Sequence, residues 1–134
     1  MILLSAIILC SFIAATGYYL NFNQDRSYYP TILIFIALLY VLFGVMDGRP
    51  SIIMKESVIA SFFVAGALIG SVKSYTWIAL LLILHGIFDF FHPQIISNVA
   101  VPTWWPLFCL YVDVLLGSWV FLLDYMGKFD ERAG

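Results

Sequence analysis

The sequence predicts an all-α, polytopic transmembrane helix bundle of about five spans, folded as a single domain over residues 1–134. Three observations predict it. The chain is 63% hydrophobic, only 10% charged, and has a mean hydropathy of +1.02, whereas soluble domains carry roughly 25% charged residues. So few charges cannot clothe a surface in water, which makes lipid the solvent. The apolar residues also fall into runs of the length a bilayer demands, about 20 residues for a helix. Polar, Gly and Pro punctuation separates those runs.

The first helix is expected over about 2–20, closing on Gly17-Tyr18-Tyr19, an aromatic belt at headgroup level. Its start, Met1-Ile-Leu-Leu, lacks the positive n-region of a signal peptide, so it is expected to be retained. A polar loop from Asn21 leads to Pro30, a residue suited to the first turn of a second helix over about 30–47. Asp47-Gly-Arg-Pro50 reads as a turn, followed by a third helix over about 53–72. Lys73-Ser74-Tyr75 makes a tight connection to a fourth helix, about 75–92, expected to stop at Pro93. The longest loop brings Thr103-Trp104-Trp105-Pro106 to the interface before a fifth helix over about 104–125 and a short charged tail.

Lys and Arg placement sets orientation. Arg49 and Lys55 lie on the side of the N-terminus, and Arg26, Lys73, Lys128 and Arg132 on the other. Four against two puts the C-terminus in the cytoplasm and the N-terminus outside, in a multi-pass protein of the cell membrane. The net charge of -2 supplies no basic field for nucleic acid. Cys10 and Cys109 sit in apolar runs, where cysteine behaves as a small buried hydrophobe rather than half of a disulfide. No nucleotide loop, nucleophile elbow or haem-attachment motif is present.

Ionisable groups at membrane depth are costly and mark functional sites. His85, Asp89 and His92 are spaced by four and three, which confines them to an arc of roughly 60° on the fourth helix. Cys109, Asp113, Gly117 and Asp124 share a stripe on the fifth. With a rise of 1.5 Å per residue, His85 lies about 10 Å below His92 and Asp113 about 13 Å below Trp104. The two helices are antiparallel, so His85 and Asp113 reach a similar depth. The expected pocket opens outward and is lined by His85, Asp89, His92 and Asp113, with Asp47, Cys109, Ser61 and Tyr40 as secondary members. Gly66 and Gly70 form a small-xxx-small pair that lets a neighbouring helix approach. On the bland reading, the His and Asp side chains bond one another and pin two helices together.

The pattern His85-Gly-x-x-Asp89-x-x-His92, followed by Pro102-x-Trp-Trp-Pro106-x-x-Cys109-x-x-x-Asp113, resembles a signature of a group of small uncharacterised prokaryotic integral membrane proteins. The resemblance covers about the last third of the chain and implies membrane residence without a particular activity. The residue chemistry is also similar to that of seven-helix membrane hydrolases of the ceramidase and adiponectin-receptor type, which bind zinc with intramembrane His, Asp and Ser. This chain has too few helices for that group and lacks its terminal His-x-x-x-His, so only the analogy of ligand chemistry carries over.

Several functional classes remain open on the sequence. Imidazoles and carboxylates match the ligand set of zinc or another divalent metal, for binding or for hydrolysis. The same groups suit a proton-coupled transporter or channel subunit acting as a homo-oligomer. A structural or assembly subunit of a larger membrane complex requires neither.

Overall fold

A computed structural model describes residues 1–129, and they form five helices with no strand among the described residues: α1 (Ile2–Tyr19), α2 (Tyr28–Asp47), α3 (Pro50–Lys73), α4 (Tyr75–Ile95) and α5 (Trp105–Tyr125). All five are long and apolar enough to cross a bilayer. Large side chains such as Phe12, Phe35, Phe62, Val72 and Leu80 stand exposed on their outer faces. Apolar area on every side of the bundle is tolerable only against lipid. The chain is a multi-pass membrane protein.

Each boundary has a local cause. α1 ends in a single 3₁₀ turn, Phe22–Gln24, entered through Asn21 in the left-handed region (φ 59°), where Asn is the most tolerant residue after Gly. Asp25 then accepts from the Ser27 hydroxyl at 2.6 Å and the Ser27 amide at 2.9 Å, and these bonds hold its carboxyl below the usual carboxylate range. α2 starts two residues before Pro30, whose missing N–H falls among the first-turn donors that have no helical acceptor in any case. It closes on Gly48 at φ +83°, a glycine C-terminus of the usual left-handed kind.

Two expected boundaries shift by three residues. α3 begins at Pro50 in the first turn instead of residue 53, because proline's fixed φ suits a helix start. α4 passes through Pro93 and ends at Ile95 instead of residue 92. Proline there forfeits only its own bond, to the carbonyl of Asp89, and the next turn still closes, with Ile96 N–H donating to His92 O at 2.8 Å. Between α3 and α4 only Ser74 intervenes, and its Oγ caps α4 by accepting from Trp77 N at 3.2 Å.

α4 is the centre of the bundle. It packs on α5 most extensively and also meets α3 and α2, while α2 pairs with α3 and α1 leans on α5. Close approach depends on residues without side chains. A Cβ on Gly117 would lie 2.9 Å from the Ala79 carbonyl oxygen, and one on Gly86 would lie 3.0 Å from the Asp113 Cβ. These two glycines, one per helix, set the α4–α5 spacing. On α3, side chains at Gly66 and Gly70 would strike Leu81 and Ile78 of α4.

Candidate metal centre

α4 buries Ile78, Leu82, His85, Asp89 and His92 at steps of three and four, so the polar residues continue the inward face of Ile78 and Leu82. α5 buries Cys109, Asp113, Leu116 and Val120 in the same manner. Because the glycine contacts bring the helices together at Gly86, the Asp113 carboxylate reaches His85. His85 Nδ1–H donates to Asp113 Oδ2 at 2.7 Å, and Asp89 Oδ2 lies 3.2 Å from the same nitrogen. Asp89 and Asp113 are both 0% exposed.

One N–H cannot satisfy two carboxylates. Asp89 Oδ1, Asp89 Oδ2 and Asp113 Oδ1 are buried without a hydrogen-bond partner. Such groups are few in folded proteins, and each calls for a cause. No Lys or Arg is among the groups acting on Asp113, which are His85 and Asp89. One ligand atom from each of His85, Asp89 and Asp113 falls within 4.8 Å of the others. Acceptors converge here in excess of donors.

His92 is not brought to this group. Its Nε2 pairs with Glu56 Oε1 at 2.9 Å, and the same oxygen accepts from Asn98 Nδ2 at 2.9 Å. His92 stands about 10 Å further along α4 than His85, at the level where α3 and the 96–104 loop close over the bundle. Tyr40 joins the two clusters. Its ring stacks on His92, centroids 4.1 Å apart, and its hydroxyl interacts with Asp89 without closing a hydrogen bond. Cys109 is buried within electrostatic reach of Asp89 and Asp113, outside the 4.8 Å group.

The other expected members lie elsewhere. Asp47 is engaged by Arg49 through two bonds of 2.7 Å and by the Val99 amide at 3.0 Å, and Arg49 also donates to Ser97 O at 2.6 Å. That set ties the 47–50 turn to the long loop. Ser61 is exposed and donates to the Ser57 carbonyl at 2.7 Å, so it faces away from the pocket. Asp124 accepts from the Thr76 hydroxyl at the opposite end of α4 and α5.

Glu56 is the functional candidate that sequence reasoning missed. It is 1% exposed and lies on the buried α3 stripe of Ile52, Ala60, Phe63 and Ala67. With the helix expected to begin at residue 53, Glu56 falls in its first turn, where an acid reads as a headgroup-level residue. The true start at Pro50 carries it one turn deeper. Comparison of the chain with protein-family models, with curated proteins and with solved structures finds no match.

Proposed function

We propose that His85, Asp89 and Asp113 hold a divalent cation of the zinc class inside the bundle. The observation that carries this reading is a pair of buried carboxylates converging on one imidazole nitrogen, with three of their four oxygens lacking a hydrogen bond. A dication neutralises two carboxylates that share a single imidazole, and nitrogen with two oxygens is a ligand set zinc accepts at about 2.0–2.2 Å. Around a tetrahedral ion such ligands stand roughly 3.3 Å apart, so the 2.7 Å contact between His85 and Asp113 opens by about half an ångström and Nδ1 gives up its proton.

Three protein ligands leave a fourth position, the arrangement in which a bound water is activated. Metal-dependent hydrolysis is therefore the activity this centre suits. Glu56 and His92, linked through Tyr40, would serve as its polar connection to the long loop.

Metal analysis of detergent-purified protein tests the reading. Wild type should carry about one divalent ion per chain. Asp89→Asn and Asp113→Asn should lose it, since asparagine still hydrogen-bonds but brings no charge. Wild type that neither retains a metal nor takes up Co(II) would remove the basis for the centre.

The stacking of Tyr40 on His92 and its approach to Asp89 favour one second reading, a proton relay through the bundle. In that case flux follows pH, no metal is bound, and Tyr40→Phe abolishes the flux.

A further inference from the structure

A cleft of about 520 Å³ opens between α1, α2 and α5. It exists because α1 leans on α5 and α2 packs on α3, which leaves α1 and α2 apart beyond the bonds of the Tyr28 hydroxyl with Thr16 and the Ile13 carbonyl. Leu9, Ile13, Ile32, Ile36 and Phe108 form its walls, and Cys109 and Asp113 complete its lining without exposing a polar atom in it. Cys109 is therefore shared. It lines the cleft and lies within electrostatic reach of both carboxylates of the candidate metal centre.

Resting on the metal reading, we infer that this cleft is a lateral entry for a long-chain amphiphile. Its apolar chain lies along α1 and α2, and its oxygen-bearing head reaches the open position of the cation past Cys109.

Three physical points select that occupant. The walls are apolar and face the bilayer, so water-soluble substrates gain nothing from them. A helix is about 10 Å across, and 520 Å³ would take only about 7 Å of it, little more than one turn; a single chain fits where a helix does not. Trp105, at the start of α5, is a further wall residue. Trp105 and Asp113 are separated by about 12 Å of α5, which suits an extended molecule. Selectivity has to come from the head, because a chain leaving lipid for an apolar cleft gains no hydrophobic free energy.

The test uses Co(II)-loaded, full-length protein in detergent, with the Co(II) absorption spectrum as readout. The probes are acetohydroxamate and dodecanohydroxamate, which share a metal-binding head and differ in chain. Ile36→Trp and Ile32→Trp each fill the cleft from α2 and leave the three ligand residues themselves unchanged. Detergent partition of the long probe is common to all three proteins and cancels in the comparison.

Either Trp variant should weaken dodecanohydroxamate by about tenfold or more while leaving acetohydroxamate within a factor of about two. Equal effects on both probes, or none on either, overturn the inference and leave the metal reading standing. Loss of Co(II) from both Trp variants counts against it as well, because the walls would then be core and not cleft. Wild type that binds no Co(II) overturns both readings. Displacement of the long probe by palmitate alone identifies a free acid as the occupant, and displacement by lysophosphatidylcholine alone a headgroup-bearing lipid; displacement by neither rejects the entry.

Discussion

Glu56 shows how one buried carboxyl organises an end of the bundle. Its Oε1 serves both His92 and Asn98, so its loss strands two polar groups at once. Leaving a buried group unsatisfied costs about 1–3 kcal/mol. Glu56→Ala should therefore destabilise the protein by about that amount or more, while Glu56→Gln, which keeps an acceptor at the same place, should cost clearly less. Thermal unfolding in detergent separates the two; equal losses would mean that the charge, and not the acceptor, is what matters. Neither change should alter metal content, because His92 belongs to the Glu56 cluster and not to the group of His85, Asp89 and Asp113.

At the scale of elements, the α4–α5 pair decides whether the site forms. Gly117 faces the Ala79 carbonyl, which is backbone and cannot rotate aside, whereas Gly70 faces the side-chain ends of Ile78 and Trp77. Gly117→Ala should thus cost about 1–3 kcal/mol as the helices are forced apart, and Gly70→Ala less. Gly86→Ala lies against the Asp113 Cβ and the Leu110 carbonyl, so it should lower metal content as well as stability. Parallel unfolding and metal measurements on the three variants check the order. A Gly86→Ala protein with full metal occupancy would show that the site tolerates a wider helix spacing than the glycines imply.

For the whole molecule, the open question is which end faces the cytoplasm. On the charge asymmetry the 93–106 loop is expected outside. Val99 is 79% exposed on that loop, whereas Asn98 is buried against Glu56, and Gln24 is exposed on the opposite side of the bundle. Val99→Cys should react with an impermeant thiol reagent in intact cells and Gln24→Cys should not, over a quiet background because Cys10 and Cys109 are both buried. Reaction at Gln24 alone would invert the topology and turn the pocket toward the cytoplasm.

Run length and helix spacing already determine the five spans, the single inward stripe of His85, Asp89 and His92, and the matched depth of Asp113. Lipid imposes the first through the thickness of its core, and the 3.6-residue period imposes the others. Spacing fixes the direction of a side chain around its own helix but not which neighbour stands opposite, so His92 could not be separated from His85 until α3 was seen to arrive at its level. The same limit explains Ser61 and Glu56. In water the apolar stripe of a helix names its buried face, but in a bilayer every face is apolar. Nothing along α3 therefore distinguished the side of Glu56 from the side of Ser61. That choice, and the cleft left where α1 leans on α5, came from packing alone.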